Sequence, residues 1–264
     1  MQKEEIEQKF QNIPNNIRLV MALLINDGYQ AYLVGGCVRD HLINRQVSDY
    51  DIATNATPEQ VQGIFPRTFY ENTFGTVGVV TCDIDEKDTE IIKDSIVEVT
   101  TYRAESDYKD KRHPENVSYI DNINEDLKRR DFTINAMAYN PITSDFIDNY
   151  EGIKDISIGQ IRCVGNPDDR FQEDSLRILR AIRFSAQLGW TISQETLQSI
   201  KNNHFLLKSV SYERIRDEFS KIIMTKNPMK AIINIHELNI LQYISPELEN
   251  GIGVTQNHAH KYDV

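Results

Sequence analysis

The hydrophobic pattern of this 264-residue chain changes character near its middle, and this change limits the folds that the chain can adopt. Apolar or alternating runs typical of strands fill the first half, at 32–34, 50–53, 77–82, 96–101, 145–148 and 159–164. Helices are predicted between these strands at 13–25, 37–43 and 124–137, and a further one begins at 58. The second half is mainly helical, with predicted helices at 174–188, 193–202, 211–224 and 228–235. The sequence therefore predicts an α/β or α+β domain and then a helical region, with the transition between 150 and 165.

The composition is that of an ordinary globular protein, with 40% hydrophobic and 26% charged residues. The charged N-terminus is not a signal peptide, and no apolar run approaches the length of a membrane span. The three cysteines stand far apart without a CxxC pair, so they fit neither a disulfide framework nor a zinc site. We therefore predict a protein of the reducing cytoplasm with no membrane association.

The formal net charge of −11 argues against a nucleic-acid partner, because phosphate binding needs Lys and Arg. The basic residues are concentrated, however, in two stretches: Arg103, Lys109, Lys111, Arg112, Lys128, Arg129 and Arg130, and then Arg170, Arg177, Arg180 and Arg183. A local potential steers a polyanion better than the total charge does. The composition therefore leaves a nucleic-acid partner open.

Two glycines, Gly35 and Gly36, separate a predicted strand from a predicted helix in the string LVGGCVRD. Paired glycines let the backbone approach a phosphate closely, and the N-terminus of the following helix attracts an anion. Arg39, one turn into the helix, has the forked geometry that binds phosphate oxygens. The same string also fits a tight turn in which Arg39 pairs with a neighbouring acid.

Two carboxylates, Asp49 and Asp51, follow on the next predicted strand. Residues two apart on a strand point to the same face, and two such acids repel each other unless a cation lies between them. Mg²⁺ prefers oxygen ligands, so the pair next to the glycine turn predicts metal ions beside a phosphate. Glu98, on the strand 96–101, is the candidate third carboxylate. Two solvated acids on a polar edge strand are the plainer interpretation of Asp49 and Asp51, and Glu98 could likewise be a solvated residue on a strand face.

The string KRRDFTINAMAYN, at 128–140, combines basic residues with polar ones on a predicted helix. Arg130 could contact a phosphate, and Asp131 and Asn135, four residues apart on one face, could hold sugar hydroxyls. A charged helix start with ordinary capping residues is the plainer interpretation.

Asp174 and Arg177 lie three residues apart on the helix predicted at 174–188. Asp only accepts and Arg only donates hydrogen bonds, so the pair matches the amine and ring acceptor that cytosine and adenine share. Uracil and guanine present the reverse order and would leave polar groups unpaired, at about 1–3 kcal/mol each. Arg180 and Arg183 follow at intervals of three residues, and each interval rotates the side chain about 60° around the helix axis. They cannot all face one base, so these two suit contacts with phosphates or bracing of Asp174. Ordinary ion pairs on a surface helix would give the same spacing.

Four strings together resemble the tRNA nucleotidyltransferase family of the bacterial and eukaryotic type, relatives of DNA polymerase β: GGCVRD, SDYDIAT, RRDFTINAMAYN and RFQEDSLRILRAIRF. A fifth, SYERIRDEFSKII, looks like the neck-domain helix of that family and includes Arg214. The resemblance runs from Tyr32 to about Ile222. It implies an α+β fold, with a polymerase-β-like head containing a five-stranded sheet and then an all-helical neck and body. The expected domains are the head at 1–150, the neck at 151–225 and the start of the body at 226–264.

The resemblance also implies an activity, the addition of CCA to the 3′ end of tRNA from CTP and ATP. Asp49 and Asp51 would hold Mg²⁺, and the primer hydroxyl would attack the α-phosphate of each nucleotide and release pyrophosphate. The resemblance implies that Gly36, Arg39 and Arg130 contact the nucleotide. Asp174 and Arg177 would select the base, and Arg180 and Arg183 would line the same site. The polar segment 103–115, which we predict to be a mobile loop, matches the flexible loop linked to the switch from C to A addition.

Other activities remain open alongside this one. Bacterial poly(A) polymerases share the motifs, although the string TFGTVGV at 73–79 looks more like the tRNA enzymes. Partial enzymes that add only A or only CC are a further alternative, and the intact loop argues against the CC-only type. A catalytically inactive RNA-binding protein on the same scaffold is the alternative from a different class. Family members are longer, so we expect the final string HAHKYDV to continue into a body or an appended domain.

Overall fold

The computed structural model describes residues 1–70, 75–81, 96–108 and 114–254, with the backbone alone at 104–108 and 114–118. These residues form two compact units. The first comprises Met1–Asp107 and Pro114–Ile158, and the second is built on the described residues from Gly159 onward. The mixture of helices and strands confirms the α+β class. Among the described residues, no helix has both the length and the apolar character needed to cross a membrane.

A seven-stranded sheet forms the centre of the first unit, in the order β3-β4-β5-β2-β1-β8-β9. Its strands are β1 (Ala31–Val34), β2 (Asp51–Thr54), β3 (Thr68–Tyr70), β4 (Thr76–Val80), β5 (Ile96–Thr101), β8 (Ala138–Asn140) and β9 (Asp145–Ile147). Strands β2 and β5 are parallel, and every other neighbouring pair of this sheet is antiparallel. The expected number of five strands is therefore wrong. Strands β3 and β8 have three residues each, too few to show a period in the sequence.

The helices of the first unit cover the apolar positions of this sheet. They are α1 (Lys3–Lys9), α2 (Asn15–Asn26), α3 (Gly36–Leu42), α4 (Pro58–Ile64), α5 (Ile123–Lys128) and α6 (Gly152–Ile158). Helix α4 begins as predicted, because the Thr57 hydroxyl accepts a hydrogen bond from the Gln60 amide at 3.4 Å and Pro58 occupies the first turn. In β5 the buried Val97 and Val99 alternate with exposed residues, so one face of this strand contributes to the core.

Two predicted elements of this unit are wrong in detail. The helix expected at 124–137 is split into α5 and a 3₁₀ turn, Thr133–Asn135. The break lies at Phe132, whose backbone is extended and whose amide donates to the Asp131 carboxylate at 2.8 Å, a local hydrogen bond that competes with the helix. The segment expected as a loop contains two paired strands, β6 (Arg103–Tyr108) and β7 (Pro114–Tyr119). Their sequences are polar, so they carry no hydrophobic signal, and 109–113 lie outside the described residues.

The described residues of the second unit are almost all helical. Their elements are β10 (Gln160–Ile161), α7 (Pro167–Glu173), α8 (Arg177–Leu188), β11 (Thr191–Ile192), α9 (Gln194–Asn203), a 3₁₀ turn (His204–Ser209), α10 (Tyr212–Ile223), α11 (Pro228–Glu237), α12 (Leu241–Ile244) and α13 (Pro246–Gly251). The helix predicted from Asp174 begins only at Arg177, because Asp174 has an extended backbone and ends α7. The domain boundaries at 150 and 225 stay predictions, and HAHKYDV lies outside the described residues.

Candidate active site

A tight turn at Gly35 joins β1 to α3 and brings two charged side chains together. Gly35 has φ +74°, a conformation that side-chain-bearing residues rarely adopt. A Cβ built on it would lie 3.2 Å from the Arg130 Nη1 atom and 3.5 Å from the Asp51 Oδ2 atom. One built on Gly36 would lie 3.4 Å from the Arg39 Nη2 atom. The glycines therefore leave backbone without side chains next to two arginines and a carboxylate.

The three predicted acids face one cavity of about 470 Å³. Glu98 of β5 lies directly opposite Asp51 of β2, so the parallel register places both on the same face. Asp49 lies outside β2, because the strand begins only at Asp51, and its carboxylate accepts a hydrogen bond from the Ser48 hydroxyl at 2.7 Å. Among the described residues, no three His, Cys, Asp or Glu side chains meet closely enough to hold a metal ion. Asp49, Asp51 and Glu98 thus line one cavity without forming a cluster of three metal ligands.

Arg130 is held beside the Gly35 turn by a buried acid. Asp126 is 1% exposed, and it accepts from the Arg130 Nη2 atom at 3.0 Å and from the Arg129 Nε and Nη2 atoms at 3.0 and 2.7 Å. Burial opposes the ionisation of Asp126, but Arg130 and Arg129 outweigh it and keep the pKa of this carboxyl below its ordinary value. In the described part of the chain the buried Nε of Arg130 has no hydrogen-bond partner. Its Nη1 atom, by contrast, faces the Gly35 turn, where a guanidinium donor fits an anionic ligand.

The remaining predicted residues of the first unit form a closed network. Arg39 is 4% exposed. Its Nη1 atom donates to the side-chain Oδ1 atom of Asn135 at 2.7 Å, and its Nε atom donates to Asp40 at 2.8 Å. The amide nitrogen of Asn135 donates in turn to Asp131 at 3.2 Å. The structure therefore brings Asp131 and Asn135 together, although not on the continuous helix that the sequence predicts, and adds Arg39 to them. These hydrogen bonds hold α3 against the 3₁₀ turn. The pair between Arg39 and Asp40 is the one expected from the alternative interpretation of this string as a tight turn.

Asp174 and Arg177, the pair predicted to read a base, have different partners within the second unit. One carboxylate oxygen of Asp174 accepts from the Arg214 Nη2 atom at 2.8 Å, and the other accepts from the Leu176 amide at 3.1 Å. Arg177 donates to Glu173 at 2.6 Å. The Glu173–Arg177 pair has the i,i+4 spacing of helical ion pairs and could have been predicted. The Asp174–Arg214 pair spans 40 residues, and only the neck-helix string pointed to Arg214.

Arg180 and Arg183 lie on α8 near the ring of Phe184, with their guanidinium carbons 5.5 and 4.1 Å from its centroid. The Nε atom of Arg183 forms an ion pair with the buried Glu218 of α10. Its Nη1 atom donates to Gln187 at 3.1 Å. Arg183 therefore connects two helices of the second unit, an arrangement that sequence spacing alone did not reveal.

The model of the poly A polymerase head domain matches residues 31–162, which is half of the chain and includes the glycine turn, the acids and Arg130. The chain belongs to this family. A second family model, described as a probable RNA and SrmB-binding site of polymerase A, matches residues 189–252. The match confirms the relationship that the strings GGCVRD and SDYDIAT indicated. Nucleotidyltransferases of this family generally use a divalent metal ion.

Several relatives of the family are similar over most of this chain. The CCA-adding enzyme of Enterococcus faecalis is 41% identical over 250 residues, covering 93% of this chain and 59% of the relative. That of Bacillus subtilis is 46% identical over 218 residues, covering 81% of this chain and 51% of the relative. The chain thus spans between half and three fifths of the length of these relatives.

Solved structures show the same relationship. The Bacillus stearothermophilus CCA-adding enzyme in complex with CTP has a TM-score of 0.78 and 35% identity, covering 91% of this chain and 57% of that one. The Thermotoga maritima CCA-adding enzyme complexed with tRNA CCA has a TM-score of 0.73 and 25% identity, covering 94% and 56%. The family fold therefore extends over nearly the whole of this chain.

Proposed function

We propose that this chain catalyses the template-independent addition of CCA to the 3′ end of tRNA, with CTP and ATP as substrates. The observation that carries the proposal is that Asp51 and Arg130 meet at the Gly35 turn, with the Asp51 Oδ2 and Arg130 Nη1 atoms 3.5 and 3.2 Å from where a Cβ on Gly35 would lie. A carboxylate that can hold a cation and a cationic donor that can hold a phosphate are thereby adjacent. The similarity to CCA-adding enzymes supports tRNA as the acceptor.

Asp49 and Asp51 would hold Mg²⁺ in this site, because hard carboxylate oxygens are the ligands that this ion prefers. When bound, Mg²⁺ acts as a Lewis acid toward the attacking 3′ hydroxyl and the leaving pyrophosphate. Glu98, opposite Asp51, would add negative charge at the mouth of the same cavity and complete the catalytic acids. Arg130 would bind the triphosphate through its Nη1 atom, which lies next to the backbone of Gly35.

The other predicted residues would select and orient the nucleotide. Asp131 and Asn135 would face the sugar, with Arg39 holding Asn135 in place. Asp174 and Arg177 would recognise the base edge shared by cytosine and adenine, each oriented by its own partner, Arg214 or Glu173. Arg180 and Arg183 both contact the ring of Phe184, and Arg183 also pairs with Glu218. These contacts favour bracing of α8 over phosphate contacts.

The proposal includes a location and a division into domains. Cys37 and Cys163 are buried free thiols, which suits the reducing cytoplasm that the sequence predicts. The head at 1–150 would perform the chemistry, the neck at 151–225 would select the nucleotide, and 226–264 would begin the body.

Incubation with tRNA lacking its CCA end, CTP, ATP and Mg²⁺ is expected to add C, C and A once each. Products resolved at single-nucleotide length on a gel provide the measurement. Runs of A would favour a poly(A) polymerase, and a single A on a tRNA ending in CC would favour an A-adding enzyme. RNA binding without incorporation at any Mg²⁺ concentration would favour an inactive RNA-binding protein.

The variant Asp174→Ala is expected to reduce discrimination against UTP and GTP by about 10- to 100-fold. It removes a hydrogen-bond acceptor, and this loss lowers the free-energy difference between accepted and rejected bases by about 1–3 kcal/mol. Each 1.4 kcal/mol corresponds to a factor of ten. The measurement is kcat/KM for each of the four nucleotides. Asp169→Ala, an exposed acid of α7, is the matched control and should keep wild-type selectivity. Unchanged rejection of UTP and GTP by Asp174→Ala would refute the selection role.

A further inference from the structure

A buried histidine connects the N-terminal helix to the segment that carries the acids. His41 of α3 is 8% exposed, and both of its ring nitrogens have partners. The Nδ1 atom lies 3.1 Å from the Lys9 carbonyl oxygen and the Nε2 atom lies 3.0 Å from the Tyr50 hydroxyl. A carbonyl oxygen only accepts, so Nδ1 must carry the proton, and in the neutral ring Nε2 accepts from Tyr50. Burial lowers the pKa of His41, which agrees with a neutral ring.

Tyr50 lies between Asp49 and Asp51 and lines the same cavity as both. The ladder of β2 holds Asp51 opposite Val34 and Glu98, but Asp49 precedes the strand. The position of Asp49 therefore depends on contacts of its own segment rather than on the sheet. The hydrogen bond from the Tyr50 hydroxyl to His41 is such a contact.

The other end of the connection is firmly packed. Phe10, next to Lys9, stacks on Tyr139 with ring centroids 4.0 Å apart and lies 4.9 Å from the ring of His41. Its carbonyl oxygen accepts from the Arg18 Nη2 atom at 3.0 Å. Lys9 and Phe10 both precede residue 31, where the family match begins. The anchor for the acid segment is thus supplied by a part of the chain outside that match.

We propose that His41 is a positioning residue which, through the Tyr50 hydroxyl, holds Asp49 at the distance from Asp51 that a divalent cation requires. The proposal rests on the proposed function, in which these two carboxylates bind the metal. A group hydrogen-bonded to a metal ligand changes metal affinity by about 10- to 100-fold when it is removed, so His41, which acts through Tyr50, is expected to have an effect at the lower end of this range. A histidine that only fills the core would change stability and leave metal affinity as it is.

Three variants separate the two hydrogen bonds of His41. Tyr50→Phe removes only the hydroxyl. His41→Asn places an amide nitrogen near the position of Nδ1 and keeps the Lys9 bond alone, whereas His41→Gln reaches the position of Nε2 and keeps the Tyr50 bond alone. Tyr139→Phe is the matched control, because it removes a hydroxyl from a tyrosine buried in the same core.

The measurement is Mn²⁺ binding by titration calorimetry to the full chain without RNA or nucleotide, with thermal unfolding recorded for each variant. Tyr50→Phe and His41→Asn are expected to raise the Kd for Mn²⁺ about 10-fold. His41→Gln and Tyr139→Phe should stay within about twofold of the wild type. Unchanged Mn²⁺ affinity in folded Tyr50→Phe would overturn the proposal, as would an equal loss in Tyr139→Phe.

The same titration distinguishes this inference from the proposed function. A wild-type chain that binds Mn²⁺ but adds no nucleotide, with affinity lowered in Tyr50→Phe, would support the role of His41 and refute the activity. If the wild-type chain adds CCA and Tyr50→Phe binds Mn²⁺ with normal affinity, the activity is supported and the role of His41 is refuted. A wild-type chain that binds no Mn²⁺ would overturn both.

Discussion

Asp51→Asn is expected to lower the rate of CMP incorporation about 1000-fold while the fold stays intact. Asp51 begins β2, faces the cavity opposite Glu98 and lies beside the Gly35 turn with Arg130. Asn preserves the size of the side chain but removes the charge that a divalent cation needs. Bound metal contributes several kcal/mol to such reactions, and a loss of about 4 kcal/mol corresponds to this factor. Single-turnover incorporation from CTP into tRNA lacking its CCA end provides the measurement.

Asp27→Asn is the control for this experiment, because Asp27 is an exposed acid at the end of α2, outside the cavity. It should react at the wild-type rate, and both variants should unfold at the wild-type temperature. A rate for Asp51→Asn within tenfold of the wild type would mean that the cavity acids do not hold the catalytic metal. A rate loss accompanied by a lower unfolding temperature would instead point to a structural role for Asp51.

The parts of the site that depend on neighbouring residues could be predicted from the sequence. The Gly35 turn follows from a strand, two glycines and a helix in succession, and a positive φ at such a turn is what glycine permits. Glu98 was predicted because the apolar residues of 96–101 indicate a strand, on which Glu98 could supply a third carboxylate. Its register opposite Asp51 depends on the parallel pairing of β2 and β5, which the pattern of either strand does not contain.

The parts that depend on tertiary contacts could not be predicted. The helix expected through Asp131 is interrupted because Asp131 bonds to the next amide and Asn135 bonds to Arg39, 96 residues away. The network of His41 relies on Lys9, which has no signal of its own in the sequence. The polar strands β6 and β7 were mistaken for a loop because a strand without alternating apolar residues looks like one. Local patterns thus predict most of the elements, whereas side-chain hydrogen bonds, both local and distant, decide where the elements stop and which side chains they orient.

The largest expected effect on stability comes from the pair between Arg183 and Glu218. Glu218 is 3% exposed, so Glu218→Ala would leave the guanidinium of Arg183 without its ionic partner in a mostly buried position between α8 and α10. Breaking a buried pair on one side destabilises a protein by about 3–5 kcal/mol. We therefore expect the free energy of unfolding, measured with urea, to fall by about that amount.

Lys221→Ala is the control for this prediction, since Lys221 is exposed and its amine lies 4.0 Å from the same carboxylate. Because the amine of Lys221 is exposed and lies at the limit of ion-pair distance, its pair contributes no more than about 1 kcal/mol, and this variant should remain close to the wild type. The double variant Arg183→Met with Glu218→Leu replaces the pair by apolar side chains and should recover most of the lost stability. If Glu218→Ala loses no more stability than Lys221→Ala, the guanidinium of Arg183 is solvated and available to a phosphate. The unfolding experiment therefore decides between the bracing role and the nucleotide-binding role that spacing on α8 left open.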